Sequence, residues 1–291
     1  MEVLITMGNC NFNFRKLNIL IIGMGLIGSS IAMACREAGC RIINGVDVNS
    51  SVLEKLKETK TINEGYLTAD EALKNANLTI ICLYPSDTAI FLREHKNLFK
   101  KGSVVTDVSG VKADLIKIVK GLGDIDFYFV GGHPMAGKEV GGYENAEAGL
   151  FKGTNFIITP FEHSTPESIL IVEIMANIIG CAKVRYLSPQ EHDLTIAFTS
   201  QLAHVIAIAM CQNSLDYNID GFTGGSFKDL TRVAEINENL WSGVLNTNSE
   251  NICKVIDSFK NKLDDIKYII MKKDSSINDY LRETKNIKRG F

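Results

Sequence analysis

Two groups of residues in this chain have the types and spacing for chemistry. Gly23-Met24-Gly25-Leu26-Ile27-Gly28 reads G-x-G-x-x-G, directly after a strand-like apolar run and at the start of a helical pattern. In that context the first glycine makes a tight turn, the second lets a pyrophosphate approach the backbone, and the third allows close helix–strand packing. The helix start, with Leu26 and Ile27 in it, offers free N–H groups to the phosphates. Asp47 ends the next strand-like run, about 20 residues on, where its carboxylate can accept the ribose hydroxyl protons and would repel a 2′-phosphate. No arginine follows closely in VDVNSS, so NAD is preferred to NADP. The bland alternative is a structural turn beside a solvated acid. The second group is Gly132-His133-Pro134-Met135-Ala136-Gly137, just past the carboxyl end of another strand-like run. In a doubly wound sheet, ligands bind outside those ends. A neutral imidazole there can accept the proton of a substrate hydroxyl, as an enzyme that removes hydride from an alcohol carbon requires. A loop histidine that caps a turn is the competing reading, and position alone does not choose. Tyr84 and Pro85, at the end of a third apolar run, are placed with the cofactor site.

The elements that would position these residues alternate. Strands are expected at 17–22, 41–47, 78–84, 103–109, 126–132, 155–160 and 181–187. Helical patterns follow at about 26–38, in SSVLEKLKE, after Pro85 with Ser86 or Asp87 as N-cap, and in VKADLIKIVK. Such alternation means a mostly parallel sheet with helices on both faces. After Ser188 the pattern changes. Residues 189–213 read as one long helix, apolar on most sides, as expected of a helix buried in a bundle or a dimer interface. Apolar residues at 252, 255, 256, 259, 263, 266 and 270 keep helical spacing. The expected division is therefore 1–187 and 188–291.

The chain has 291 residues, enough for two domains at about 150 each. With 31 Lys and Arg against 34 Asp and Glu, its net charge of −3 argues against a nucleic-acid partner, which calls for a basic excess. An anionic ligand must then be held by local positive groups. The seven cysteines contain no Cys-x-x-Cys pair and read as reduced thiols of a cytoplasmic protein, not as a disulfide framework or a metal site. The N-terminus lacks the basic region of a signal peptide. Residues 17–35 are apolar enough to resemble a membrane span, but Asn18, three glycines and a Ser-Ser pair divide them into a strand and a helix, so no membrane partner is expected.

Taken in order, G-x-H-P-M-A-G with Glu139, LF-x-G at 150–153, His192-Asp193, AFTSQLAH and KDLTRVA resemble the prephenate dehydrogenase family, the prephenate and arogenate dehydrogenases of tyrosine biosynthesis. The likeness runs from about residue 17 to 245. It implies an α/β Rossmann-type doubly wound parallel sheet followed by an all-α helical dimerisation domain, hence a homodimer. It also implies oxidative decarboxylation: NAD+ takes hydride from the ring carbon bearing the 4-hydroxyl, the ring carboxylate leaves as carbon dioxide, and prephenate becomes 4-hydroxyphenylpyruvate. His133 matches the catalytic histidine, and Arg232 the arginine that grips a substrate carboxylate. Gly225 matches a position that contacts the substrate side chain, and Ser200 and His204 match pocket-lining positions that share one helix face. His192-Asp193 matches a pair read as orienting the pocket, and Trp241 matches a position near the site. From the residues alone, Arg232 also reads as a surface arginine paired with Asp229 or Glu235, His204 as a satisfied core histidine, and Trp241 as packing.

Departures from the family pattern carry their own expectations. Asp107-Val108-Ser109-Gly110-Val111-Lys112 stands where members often read D-x-G-S-x-K, so Ser109 either supplies the hydroxyl near the nicotinamide from a shifted backbone or leaves that role empty. Lys138 stands where members often have Ser or Thr, and its ammonium either attracts a dianion or extends into solvent. The helical half runs almost to the last residue, which leaves any tyrosine feedback to the active site. Arogenate is the alternative substrate. A β-hydroxyacid dehydrogenase would need a Lys-x-x-x-Asn that the long helix lacks, and a non-enzymatic NAD sensor would not need His133, Ser200, His204 and Arg232 together.

Overall fold

The computed structural model describes residues 4–7, 10–138 and 140–290, with side chains from residue 13 onward. Glu139, part of the histidine-segment pattern, lies outside the described residues.

A short antiparallel pair, β1 (Leu4–Met7) and β2 (Cys10–Asn13), precedes the main sheet. Then β3 (Asn18–Ile22), α1 (Leu26–Glu37), β4 (Ile42–Val46), α2 (Ser50–Glu58), β5 (Glu64–Tyr66), α3 (Asp70–Leu73), β6 (Leu78–Ile81), α4 (Pro85–His95), β7 (Val104–Asp107), α5 (Ala113–Lys120) and β8 (Tyr128–Pro134) alternate. They are followed by β9 (Asn155–Thr159), α6 (Pro166–Ile178) and β10 (Lys183–Tyr186). The eight strands lie in the order β10-β9-β8-β7-β6-β3-β4-β5. Strands β3 to β8 are mutually parallel, β9 runs antiparallel to β8, and β10 is parallel to β9. Strand order reverses between β3 and β6, which opens a crevice at their carboxyl ends.

Continuous apolar runs suit strands covered on both faces. In β3, Ile19 and Ile21 join the core on one side of the sheet and Leu20 and Ile22 the core on the other, as the two-residue period of a strand requires. Each such buried side chain contributes about 1.5–3 kcal/mol.

Ser188 begins the helical half. Its hydroxyl accepts the Glu191 N–H, and the Glu191 carboxylate accepts the Ser188 N–H, with Pro189 in the first turn. The helices are α7 (Pro189–Ile196), α8 (Leu202–Asn213), α9 (Gly225–Thr231), α10 (Glu238–Thr247), α11 (Ser249–Lys272) and α12 (Ser276–Lys288). A π-helical turn, Ala197–Gln201, joins α7 to α8, so the expected long helix is continuous but locally underwound. Pro189–Asp216 is long and apolar enough, by length and composition, to cross a membrane, and 28% of its apolar 18-residue window is buried within the chain.

Two local expectations are corrected. Helix α4 starts at Pro85 with Tyr84 as N-cap, rather than at Ser86 or Asp87, because proline's fixed φ suits the first helical position and it has no N–H to satisfy there. His133 and Pro134 lie inside β8, not past it, because β8 continues into pairing with β9, His133 opposite Ile157 and Pro134 opposite Phe156. Strand β5 and helix α3 are short and show no period a sequence reading could detect.

Candidate active site

The glycine loop spans the crevice. Gly23 has φ +89, and a Cβ there would lie 2.8 Å from the Cys82 carbonyl oxygen at the end of β6. A Cβ on Gly28 would meet the Gly23 oxygen at 2.0 Å, which enforces close packing of α1 on the turn. Gly25, the N-cap of α1, borders open space, with nothing within 4 Å of a Cβ built on it. The N–H groups of Leu26, Ile27 and Gly28 occupy the first turn, where no intrahelical acceptor exists. Asp47 directly follows β4 and braces the loop: one carboxylate oxygen accepts the Met24 N–H at 2.7 Å and the other the Asn49 N–H at 2.8 Å. A tight turn, an open glycine, a free helix N-terminus and an acid at the neighbouring strand end fit a dinucleotide with an unphosphorylated ribose.

On the other side of β6, β7 and β8 carry a buried polar cluster. Lys112 is fully buried, and its ammonium donates to Asp107 Oδ2 at 2.5 Å, to the Ser109 carbonyl at 2.8 Å and to Ser109 Oγ at 3.2 Å. The Ser109 hydroxyl in turn bonds the Asp107 carboxylate. Asp107 also accepts the Ser109 and Gly132 N–H groups. Burial pulls the Lys112 pKa down, while Asp107 acts in the opposite sense. Ser109 is thus turned into this cluster, directly before Gly110, which borders His133: a Cβ on Gly110 would lie 3.8 Å from His133 Nε2.

His133 is only partly buried. Its Nδ1 lies 2.9 Å from His192 Nε2, and His192 Nδ1 lies 2.7 Å from Asp193 Oδ1. Burial holds the His133 pKa well below the ordinary imidazole value, with His192 and the Lys112 ammonium adding to the effect. His192 is also lowered by burial, against the opposing pull of Asp193. Both rings are therefore neutral at neutral pH. A carboxylate only accepts, so His192 carries its proton on Nδ1, its Nε2 accepts from His133 Nδ1–H, and the lone pair of His133 is left on Nε2. His192, read from the sequence as a residue that orients the pocket, has no exposed surface and stands behind His133.

A third group comes from the helical half. His204 Nδ1 bonds the Ser200 carbonyl at 2.9 Å, and the His204 ring lies over Trp241 with centroids 3.9 Å apart. Asn237, the N-cap of α10, donates to the Tyr84 hydroxyl at 3.2 Å, so the helix that bears Trp241 is tied to the start of α4. Gly225, at the start of α9, and Arg232, in the turn Arg232–Ala234 behind it, sit on exposed segments packed against α8. Lys138 does not reach freely into a cleft. It pairs with Glu147 at 2.9 Å and donates to the Asn145 carbonyl at 2.9 Å.

Asp107, Lys112, Gln201 and Asn248 form contacts in or behind the site that sequence reasoning did not assign. A signal existed for the first two, charged residues inside the apolar run SVVTDVSGVK. None existed for Gln201 or Asn248, which matter only through the fold.

A dinucleotide loop at the strand switch point, with a neutral histidine on the same edge of the sheet, defines a pyridine-nucleotide-dependent dehydrogenase of the Rossmann class. Residues 31–185 match the nucleotide-binding domain of prephenate dehydrogenase, and residues 188–285 match its dimerization domain. The chain belongs to the prephenate dehydrogenase family. It is 30% identical to the prephenate dehydrogenase of Lactococcus lactis over 94% of this chain and 77% of that one. It superposes on the Aquifex aeolicus prephenate dehydrogenase, solved with hydroxyphenyl propionate and NAD+, with a TM-score of 0.85 and 28% identity over 94% and 97% of the two chains. The Synechocystis arogenate dehydrogenase gives a TM-score of 0.81 and 25% identity over 94% and 98%.

Proposed function

We propose that this chain is an NAD-dependent prephenate dehydrogenase that converts prephenate to 4-hydroxyphenylpyruvate, carbon dioxide and NADH in tyrosine biosynthesis. The observation that carries the assignment is His133, neutral and with its Nε2 lone pair free, on the carboxyl edge of the sheet that also bears the dinucleotide loop. Gly23, Gly25, Leu26, Ile27, Gly28 and Asp47 hold the dinucleotide, with Tyr84, Pro85 and Ser109 on the nicotinamide side. The bound cofactor supplies the hydride acceptor. His133 Nε2 accepts the proton of the 4-hydroxyl as hydride leaves the same carbon. The C–C bond to the ring carboxylate then breaks, its electron pair completes the aromatic ring, and the proton returns to the phenolic oxygen. The sum of reactants and products needs no further base, metal or covalent nucleophile, because aromatisation supplies the driving force. Arg232 grips a substrate carboxylate through two parallel hydrogen bonds. Gly225, Ser200, His204 and Trp241 shape the pocket around the substrate, and the Lys138–Glu147 pair stands at its margin.

The same proposal divides the chain into an NAD-binding part, 1–187, and a substrate-binding and dimerising part, 188–291. The enzyme works as a homodimer through the helical half, in the cytoplasm, where its six described cysteines remain free thiols. The test is an NADH-formation assay on purified protein with prephenate and arogenate side by side. Faster turnover per unit KM with prephenate is expected. NADH formed from arogenate alone would reassign the substrate, and none from either would refute the activity.

A further inference from the structure

One carboxylate, that of Asp193, serves both halves of the molecule. Helix α5 has Lys112 as its N-cap, a residue whose side chain makes no capping bond. The cap is supplied instead by Asp193 of α7, 81 and 80 positions away in sequence: Oδ1 accepts the Lys112 N–H and Oδ2 the Ala113 N–H, both at 2.8 Å. The Oδ1 that takes the Lys112 N–H also takes the His192 Nδ1 proton, at 2.7 Å. Behind Asp193, its carbonyl accepts from Asn248 Nδ2 at 2.8 Å, and the same amide donates to Gln201 Oε1 at 2.7 Å. Asn248 sits at the junction of α10 and α11, and Gln201 in the π-helical turn. His192, Asp193, Gln201 and Asn248 are each at most 4% exposed.

We propose that Asp193 is a positioning residue: by capping α5 it docks the helical half on the nucleotide-binding half, and by the same contact it holds His192 and His133 in the one tautomeric arrangement that leaves His133 Nε2 free to accept a proton. Only the docked arrangement then contains a competent base. The inference rests on the assignment of His133 as proton acceptor. The charged and titratable groups that bear on the two rings are Lys112 with its partner Asp107 on the β7–α5 side, and Asp193 on α7. An amide in place of Asp193 cannot serve all three donors. With its NH2 toward the Ala113 N–H it loses half of the α5 cap; turned over, it presents N–H to His192, which would then carry its proton on Nε2 and hand His133 the wrong tautomer. Such a replacement behind a catalytic histidine has cost about 10⁴-fold in turnover while leaving geometry intact.

The experiment uses the full-length enzyme and compares Asp193→Asn, His192→Phe, their double variant and His133→Asn. Asp193→Asn is expected to lower kcat by about 10²-fold or more. The KM for substrate and the affinity for NAD+ should stay within about threefold, and the acid limb of the pH–rate profile should move from its wild-type position. The double variant should be no slower than the worse single one, because both changes break the same chain of contacts. A wild-type kcat and pH profile in folded Asp193→Asn would overturn the proposal, as would additive losses in the double variant. If Asp193→Asn does not fold, His192→Phe decides: an unchanged kcat overturns the proposal, and a collapse of kcat with KM preserved supports it. If His133→Asn itself turns over at the wild-type rate, the assignment of the base has failed. If only His133→Asn is inactive, the base stands and the positioning role is wrong.

Discussion

The two halves of the chain treat their apolar residues differently. In the α/β half, Ile19, Leu20 and Ile21 of β3 are all 0% exposed, buried by helices of the same chain. In the helical half, Phe198 is 64%, Leu215 80% and Phe222 81% exposed. The first half completes its own core. The second leaves large apolar side chains open to solvent, and its match to a dimerization domain points to self-association as the cover. The site divides along the same line. His133 and His192 are locked by bonds within the chain, whereas Gly225 and Arg232 ride on exposed segments. Proton transfer should therefore depend on the internally built part, and capture of the dicarboxylate on the open part.

The largest effect is expected where the internal part is broken. His133→Asn should lower kcat by about 10²–10⁴-fold, the usual worth of a positioned base, with little change in KM. Steady-state kinetics on folded protein checks this, and equal losses in kcat and substrate binding would dissolve the contrast between the halves. The pH dependence sharpens it. In the proposed role His133 acts as the neutral ring, and burial, His192 and Lys112 hold its pKa well below the ordinary imidazole value. Activity should thus be flat through the usual imidazole range and fall only as pH drops through that depressed value, because the imidazolium has no lone pair to offer. A limb at or above the ordinary range in the kcat/KM profile would contradict the buried, neutral pair.

Breaking the open part should give the complementary signature. If Arg232 holds a substrate carboxylate as proposed, Arg232→Ala removes a charge-assisted bond worth about 1.5–3 kcal/mol. KM for prephenate should rise by about 10–100-fold, with kcat changed far less. A fall in kcat at constant KM would place Arg232 in the chemistry instead of the grip.

These contrasts were unequally legible in the sequence. Strands such as β3 and β6 announce themselves as short apolar runs, and the glycine loop declares its turn, because both depend on neighbours in the chain. The Asp193 cap on α5 does not, since its partners lie some 80 residues away and meet only when the halves dock. The position of His133 within β8 depended likewise on pairing with β9. Ser109 could be singled out, but not the inward turn of its hydroxyl, which follows from the buried Lys112 and Asp107 charges. Long-range partners decide the polar part of this site, and local pattern decides its frame.

Self-association gives the next smaller effect and probes the apolar surface directly. Phe198→Glu, on the exposed side of the π-helical turn, should weaken the dimer by about tenfold or more, from the loss of roughly 1.5–3 kcal/mol of burial per copy. Val48→Glu, at a 93% exposed position of the α/β half, should leave it unchanged. Sedimentation across a dilution series separates the two. A dimer indifferent to Phe198→Glu would remove that turn from the interface.

The smallest effect is expected at Asp47, because its carboxylate has two jobs. It is expected to accept the ribose hydroxyls, and it already accepts the Met24 and Asn49 N–H groups that brace the loop. Asp47→Ala should raise the KM for NAD+ by a few fold, about the worth of one hydrogen bond of 0.5–1.5 kcal/mol. It should also narrow the preference for NAD+ over NADP+, because the charge that repels a 2′-phosphate is gone. Asp47→Asn separates the two jobs. The amide keeps one acceptor for the loop but loses the charge, so discrimination should fall while loop order and NAD+ affinity are better kept than in the alanine variant. If both variants retain full preference for NAD+, selection lies in the shape of the ribose pocket and not in the acid at the end of β4.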